Sequence, residues 1–186
     1  MRYAPFQTLH TSRLVLRKLR MDDLPEYNAQ LFGSTDVSRY MLFDPHETWL
    51  QSRESLDRAL SRYGQTGFYR WAIAQKENDR LIGIIDLLRF DETRDTCSFA
   101  YMLLPNFWSQ GYGTEALKAV FRFAFAEMGI RTIAADHMAE NPASGAVMLK
   151  AGMTYTRTIP GKYQKNGASH DAVCYEITKE NFYDGK

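Results

Sequence analysis

Two glycines in the middle of the chain, Gly111 and Gly113, lie where a strand-like pattern gives way to a helix-like one. The segment over residues 103–116 reads LLPNFWSQGYGTEA. Glycines at such a turn let the backbone approach a ligand, and the first turn of a helix has backbone N–H groups without partners. Because the helix dipole also favours negative charge there, the segment predicts an anion site that a pyrophosphate would fit.

The spacing of these glycines disfavours two common phosphate-binding classes. It does not match the G-x-G-x-x-G pattern of dinucleotide-binding sites, and no lysine stands where the P-loop of a nucleotide hydrolase needs one. Nicotinamide binding and nucleotide hydrolysis are therefore not expected.

A second polar segment, Asn141 to Ser144, begins a helix pattern directly after a strand pattern at 131–137. Asn141 has the side chain of an N-cap residue, and contact with a ligand is the alternative interpretation. Ser144 lies one turn into the helix, so its hydroxyl is expected at the same helix end. The two helix starts together favour a ligand site over a purely structural role.

The first half of the chain contains one strand pattern and two helix patterns. Residues 12–19 alternate, with Leu14 and Leu16 on one side. A helix is predicted over about 22–32, with Pro25 in its first turn, where a missing N–H costs little. A second helix is predicted over about 46–63, with one apolar face formed by Trp49, Leu56, Leu60 and Tyr63.

The rest of the chain predicts six strands and two helices. Three consecutive strands are expected at 68–76, 81–90 and 96–104. A strongly amphipathic helix follows at 113–128, with Glu115 on its polar face and Gly129 as its left-handed cap. Its inward-facing residues are Leu117, Val120, Phe121, Ala124 and Phe125. The last elements are a strand at 131–137, a helix at 142–151 ended by Gly152, and strands at 153–164 and 169–178 joined by the Asn166-Gly167 turn.

This order of elements predicts an α/β (α+β) fold with a mixed, mostly antiparallel sheet flanked by helices. The strands at 96–104 and 131–137 should be parallel, because a helix connects them. No repeat or linker divides the sequence, so a single domain over residues 1–186 is expected.

Composition limits the partners of the protein. Twenty-three Lys and Arg against 22 Asp and Glu give a formal net charge of +1, which does not favour nucleic-acid binding. No window approaches the roughly 18 apolar residues of a membrane span, and the N-terminus has no apolar run of secretory length. A soluble, cytoplasmic protein is expected. Cys97 and Cys174 lie in strand patterns and form no metal-binding motif, so we expect inert thiols and no metal.

Several motifs together resemble the GNAT superfamily of N-acetyltransferases, and within it the group that contains the ribosomal-protein N-terminal alanine acetyltransferases. The resemblance covers nearly the whole chain. It rests on T-x-R-L-x-L-R at 11–17, FWSQGYGTEA at 107–116, NPAS at 141–144, KAGM at 150–153, and a closing strand with Asp171, Ala172, Val173 and Tyr175.

The resemblance implies acetyl-CoA as cosubstrate and a twisted sheet splayed at its parallel strand pair. It implies that the backbone amides of Gln110, Gly111, Tyr112, Gly113 and Thr114 hold the pyrophosphate of the coenzyme. A splay beginning near Leu103 would let the strand at 96–104 pair with the pantetheine arm. Asn141 would contact that arm, and Ser144 would lie near the sulfur.

Two positions depart from the superfamily pattern. Trp108 stands where many members have Arg or Gln, a substitution that looks usual in the alanine-acetyltransferase group. Met148 stands where many members have a tyrosine that protonates the departing thiolate. The acid role must therefore fall to Ser144, to water or to another residue.

The acceptor implied by the resemblance is a primary amine, and the residues leave its identity open. The resemblance favours a peptide N-terminus, and a polyamine, an aminoglycoside and a small amino compound remain as alternatives. Asp86 could bind the amine, and Tyr101 and His137 are further candidates near the ends of the parallel strands. The acceptor side is expected between the helical region 22–63 and the hairpin 153–178, in a groove lined by Tyr155, Tyr163 and Tyr175.

Two further expectations concern the class of protein and its assembly. The rival to an enzyme is a non-catalytic module of the same fold that binds acetyl-CoA as a sensor. Slow release of CoA with a panel of amines would distinguish the two. A homodimer through an exposed strand or helix face is also expected.

Overall fold

The computed structural model describes residues 1–185, so residue 186, the end of the predicted domain, lies outside it. Its centre is an eight-stranded sheet in the order β1-β2-β3-β4-β5-β6-β8-β7. The strands are β1 Leu9–His10, β2 Leu14–Arg17, β3 Tyr69–Gln75, β4 Leu81–Asp91, β5 Thr96–Leu103, β6 Thr132–Met138, β7 Thr154–Lys165 and β8 Ala168–Thr178. Every neighbouring pair is antiparallel except β5 and β6, which confirms the predicted mixed sheet.

Helices cover both faces of the sheet. They are α1 Leu24–Glu26, α2 Thr35–Ser38, α3 Trp49–Ser61, α4 Tyr112–Ala126, α5 Pro142–Lys150 and α6 Lys179–Asp184. The predicted helix over 22–32 is in fact three pieces: a 3₁₀ turn over Met21–Asp23, α1, and a π-helical segment over Tyr27–Phe32. The sequence did not predict β1, α2 or α6.

The helix predicted to begin near His46 begins at Trp49 instead. Thr48 caps it, because its hydroxyl accepts from the backbone N–H of Gln51 at 3.2 Å while the Gln51 side chain accepts from the N–H of Thr48 at 3.1 Å. Trp49, predicted to face inward, is half exposed, whereas Leu56 is fully buried. The prediction for Trp49 was therefore wrong, because this residue lies in the first turn, beside the cap.

Two apolar layers hold the helices to the sheet. The inward residues predicted for α4 are all buried, and they pack with Leu14, Trp71, Ile85 and Phe99 from one face of the sheet. On the opposite face, α1, the π-helical segment and α3 pack on Ala72 and Ile84. One face of the sheet thus carries α4 and α5, and the other carries α1 to α3.

The parallel strands separate early. β5 and β6 pair only at Thr96↔Thr132, Cys97↔Ile133 and Ser98↔Ala134. β5 stays paired with β4 to Leu103, and β6 stays paired with β8 to Met138, so each half of the sheet follows its own neighbour. The splay therefore begins after Ser98, five residues before the predicted position near Leu103, because sheet twist carries the two halves apart.

The last arginine of the N-terminal motif, Arg17, is buried rather than solvent-facing. Its guanidinium donates to both carboxylate oxygens of Asp23 at 2.9 and 2.8 Å, and to Asp79 at 2.7 Å. Arg17 thus fixes β2 to the first helical turn, which is a structural role.

The closing hairpin and the cysteines agree with the sequence predictions. Asn166 and Gly167 have φ of 51° and 75°, the left-handed pair that a tight hairpin turn requires. Burial raises the pKa of the Cys97 thiol to about 12, and it also raises that of the half-buried Cys174. Neither thiol is activated. Over residues 1–185, no helix is long and apolar enough to cross a membrane, and no group of His, Cys, Asp and Glu is placed to hold a metal.

Candidate active site

The loop that ends at α4 presents a row of free backbone N–H groups. Ser109 and Gly111 have φ of 59° and 81°, and Gly111 is the N-cap of α4 without a capping side chain. Left-handed residues in such a turn point successive N–H groups into one concave surface. Within residues 1–185, no group accepts a hydrogen bond from the N–H of residues 110–114. The loop therefore offers five donors at the positive end of a helix.

The carbonyls of the same loop are held by side chains. The indole of Trp108 donates to the carbonyl oxygen of Leu103 at 2.8 Å, and the Gln110 amide donates to Asn106 at 2.7 Å. Arg13 donates to the carbonyl oxygen of Gln110 at 3.0 Å. Trp108, one of the two departures from the superfamily pattern, thus ties the loop to the end of β5.

Glu115 joins the N-terminal motif to α4. Its carboxylate accepts from the Thr11 hydroxyl at 2.6 Å, from the Ser12 hydroxyl at 3.1 Å, and from the backbone N–H and Nε of Arg13 at 2.9 and 2.7 Å. The Arg13 guanidinium also lies 4.2 Å from the ring centroid of Tyr112. Glu115 was predicted to face solvent, but only 16% of its side chain is exposed. The sequence therefore missed a positioning residue of the loop.

These contacts change the acidity of Glu115. Burial alone would raise its pKa, but the hydrogen bonds from Thr11 and Arg13 outweigh burial and lower the pKa from its ordinary value of 4.5. The carboxylate is therefore ionised whenever the protein is near neutral pH.

At the start of α5, Asn141 is the N-cap that the sequence suggested. Its side-chain oxygen and its carbonyl oxygen accept from the N–H of Ser144 at 3.4 and 3.1 Å. Ser144 is half-buried, and its hydroxyl lies close enough to the phenol of Tyr101 to affect the pKa of that phenol. Burial raises the pKa of Tyr101, and the nearby Ser144 hydroxyl offsets only part of that rise. Tyr101 therefore keeps its proton.

Tyr101 also reaches the start of α4. A Cβ on Gly113 would lie 3.3 Å from the Tyr101 ring and 3.3 Å from Val147 of α5, so only a residue without a side chain fits there comfortably. The phenol thus lies beside both helix N-termini, past the last residue at which β5 pairs with β6. The structure brings together Gly113, Ser144 and Tyr101.

Asp86 lies on the opposite face of the sheet from Tyr101. In the register of β4 and β5, Ile85 is opposite Tyr101 and Asp86 is opposite Ala100, so the two candidate substrate residues point to different sides. The Asp86 carboxylate forms a two-point ion pair with Arg70 at 2.7 and 2.8 Å. The structure does not bring Asp86 and Tyr101 together.

His137 packs beneath α5. Its Nδ1 donates to the carbonyl oxygen of Met138 at 2.7 Å, and its ring stacks on Tyr175 with centroids 5.6 Å apart. Its Nε2 is buried without a partner among the described residues, at a point where a Cβ on Gly145 would come within 2.6 Å. Glycine at 145 therefore lets α5 approach β6. Met148, on the same helix, is buried in the core.

The three tyrosines predicted to line one groove do not all lie together. Tyr155 and Tyr175 are cross-strand neighbours, whereas Tyr163 lies opposite His170 near the other end of the hairpin. A cavity of about 240 Å³ does lie between the two regions predicted for the acceptor side. Its lining comprises Arg39, Tyr40, Met138, Glu140, Lys165, Asn166 and His170.

Comparison with known proteins identifies the family. A family model described as the acetyltransferase (GNAT) domain matches residues 13–154. The chain belongs to the GNAT family. It is 26% identical over 174 residues to the uncharacterized N-acetyltransferase YoaA of Bacillus subtilis (strain 168), in an alignment that covers 94% of this chain and 98% of YoaA.

Solved structures share the GNAT fold. A GNAT-family acetyltransferase from Bacillus anthracis matches with a TM-score of 0.83 at 21% identity, over 94% of this chain and 99% of that one. Spermidine N-acetyltransferase from Vibrio cholerae, in complex with CoA and spermine, matches with a TM-score of 0.78 at 17% identity, over 93% and 99%.

This GNAT protein is an acyltransferase that moves an acetyl group from acetyl-CoA to an amine. The family match therefore favours the enzyme over the sensor module considered from the sequence.

Proposed function

We propose that acetyl-CoA binds with its pyrophosphate on the N–H groups of residues 110–114 and its pantetheine arm in the gap between β5 and β6. The observation that carries this proposal is the row of five N–H donors that have no partner in the described part of the chain, located at the start of α4 beside the gap. Backbone amides of Leu103 and neighbouring residues of β5, which no longer face β6, are then free to pair with the arm. The amide of Asn141 contacts the same arm at the start of α5.

In this proposal a neutral primary amine attacks the thioester carbonyl directly within a ternary complex. The C–N bond forms, the C–S bond breaks, and the thiolate of CoA leaves with the bonding pair. The nitrogen then loses one proton, which water carries to the thiolate, so the products are the amide and CoA with a free thiol. The Ser144 hydroxyl donates a hydrogen bond to the leaving sulfur, and Tyr101 donates to Ser144. Tyr101 suits this role because its raised pKa keeps the phenol protonated at neutral pH.

The acceptor enters through the cavity between Arg39 and Lys165. This cavity lies on the face of the sheet opposite the one that carries α4 and α5. Five of its seven lining residues belong to the two regions in which the acceptor side was expected, 22–63 and 153–178. A peptide N-terminus is the acceptor that the sequence resemblance favours. A small amine is the second candidate, because spermine occupies the Vibrio cholerae relative.

Replacing Ser144 by alanine should lower kcat about tenfold and leave the KM for acetyl-CoA unchanged. A hydrogen bond to a charged group contributes about 1.5–3 kcal/mol, and the charge on sulfur develops only in the transition state. Release of CoA, followed with a thiol reagent over a range of pH, measures the effect.

Tyr101→Phe should lower kcat less than Ser144→Ala does. The double variant should be no slower than Ser144→Ala alone, because Tyr101 acts through Ser144. An unchanged kcat for Ser144→Ala at every pH would remove Ser144 from the mechanism, and additive effects would make Tyr101 an independent group.

A further inference from the structure

The cavity on the acceptor side has a definite position relative to the splayed strands. Arg39 and Tyr40, which follow α2, form one wall, and Lys165 and His170 of the last hairpin form the other. Met138, the last residue of β6, also lines it. The cavity therefore lies beside the open end of the gap between β5 and β6.

Two cations of this cavity lack adequate anionic partners. Arg39 makes no ion pair or side-chain hydrogen bond with any residue in 1–185, and its guanidinium lies 5.3 Å from the centroid of Tyr40. The Lys165 side chain is 11% exposed, yet among residues 1–185 its ammonium reaches only the carbonyl oxygen of Phe43 at 3.2 Å and Asp44 at 4.0 Å. Asp44 is 90% exposed, so its contact with Lys165 is weak. An ammonium carries three donors, so Lys165 has capacity to spare.

Two carboxylates beside the cavity, Glu140 and Asp136, already have partners. Glu140 accepts from His170 at 3.0 Å, and this bond raises the pKa of His170 and lowers that of Glu140. Asp136 shares the side of β6 that carries Met138, and it is paired with Lys162. A polycationic acceptor would have to break such a pair, whereas an anionic group would meet Arg39 and Lys165.

We propose that the acceptor is a primary amine that also carries a carboxylate, and that Arg39 and Lys165 bind this carboxylate. The inference rests on the proposed function, because it assigns the substrate class of the same site. Guanidinium and ammonium groups form strong charge-assisted hydrogen bonds to carboxylates, and a partly enclosed cavity screens them less than open solvent does. Polyamines and aminoglycosides lack the anionic group and are expected to be poor acceptors.

Matched acceptors test the proposal through release of CoA from acetyl-CoA. One pair is β-alanine and its amide, another is the peptide amides Ala-Asp-NH₂ and Ala-Asn-NH₂, and spermidine is the polycation. In at least one pair, kcat/KM for the acid should exceed that for the neutral analogue about tenfold or more, the size expected of one charge-assisted contact. The amide of β-alanine is the more easily deprotonated amine, so basicity alone would give the opposite order. The responding pair shows whether the carboxylate belongs to a small amino acid or to a peptide.

Charge-reversed variants assign the preference to the two residues. Lys165→Glu and Arg39→Glu should each raise the KM for the acid and remove the acid preference, and Arg39 is exposed enough to be replaced without loss of folding. Lys179→Glu, at an exposed lysine of α6, makes the same charge change elsewhere and should retain the preference. Equal kcat/KM within both pairs, or a preference for spermidine, would overturn the proposal while leaving acetyl-CoA binding intact. If calorimetry showed no binding of acetyl-CoA to the wild-type protein, that result would instead refute the proposed function.

Discussion

Gly111→Val is expected to weaken the binding of acetyl-CoA about a hundredfold. Gly111 has a φ of +81°, a conformation that costs a residue with a side chain about 1–2 kcal/mol. A β-branched residue would relieve this strain by turning the loop, and the N–H groups of residues 110–114 would no longer converge. Losing one charge-assisted hydrogen bond to the pyrophosphate costs about 1.5–3 kcal/mol more. Calorimetric titration with acetyl-CoA measures the loss.

The matched control is Gly64→Val. Gly64 also has a left-handed φ, +99°, and no atom lies within 4 Å of the position of its Cβ. A Cβ at Gly111 would likewise make only an ordinary 3.5 Å contact with Arg13, so the added Cβ clashes with the protein at neither position. Both variants should lower the melting temperature, but Gly64→Val should bind acetyl-CoA as the wild type does. Equal affinities in the two variants would show that the loop does not hold the coenzyme.

Glu115→Ala is expected to lower the free energy of unfolding by about 2 kcal/mol and to weaken acetyl-CoA binding about tenfold. The substitution leaves Thr11 and Arg13 without their shared acceptor, and lost hydrogen bonds to a charged group cost about this much. Arg13 is then free to leave the carbonyl of Gln110, which loosens the coenzyme loop. Chemical unfolding and calorimetry measure the two effects. Glu54→Ala, at an exposed position of α3, should change neither quantity.

The stabilisation from Glu115 should also depend on pH. Because the folded protein holds the pKa of Glu115 below 4.5, its contribution is fully present above pH 4.5 and is lost as pH falls through the lower, folded-state pKa. The difference in unfolding free energy between wild type and Glu115→Gln should therefore shrink in acid. A difference that stays constant down to acid pH would contradict an ionised Glu115 at the centre of these contacts.

Local sequence signals predicted most of the elements and both helix starts. The left-handed turn at Gly111 and the N-cap at Asn141 depend only on neighbouring residues. Both could therefore be predicted without knowledge of the fold. The Asn166-Gly167 turn was predictable for the same reason. The helical region 21–32 was less predictable, because its switch to a π-helical turn depends on packing over the sheet.

The features that the sequence did not reveal depend on contacts between distant residues. Glu115 lies among polar residues of an amphipathic helix, and its partners Thr11 and Arg13 are about a hundred positions away. The residue at which the splay starts depends on how the two halves of a twisted sheet diverge. The sequence of β5 alone therefore does not predict it. The pairing of Asp86 with Arg70 likewise became visible only with the register of β3 and β4.

An amide-resolved NMR titration with acetyl-CoA tests the central claim most directly. If the backbone N–H groups of residues 110–114 bind the pyrophosphate, their signals should show the largest shifts on saturation, and acetylpantetheine, which lacks the pyrophosphate, should leave them nearly unmoved. Large shifts that cluster elsewhere, with the signals of Gln110 to Thr114 unchanged by acetyl-CoA, would contradict the account.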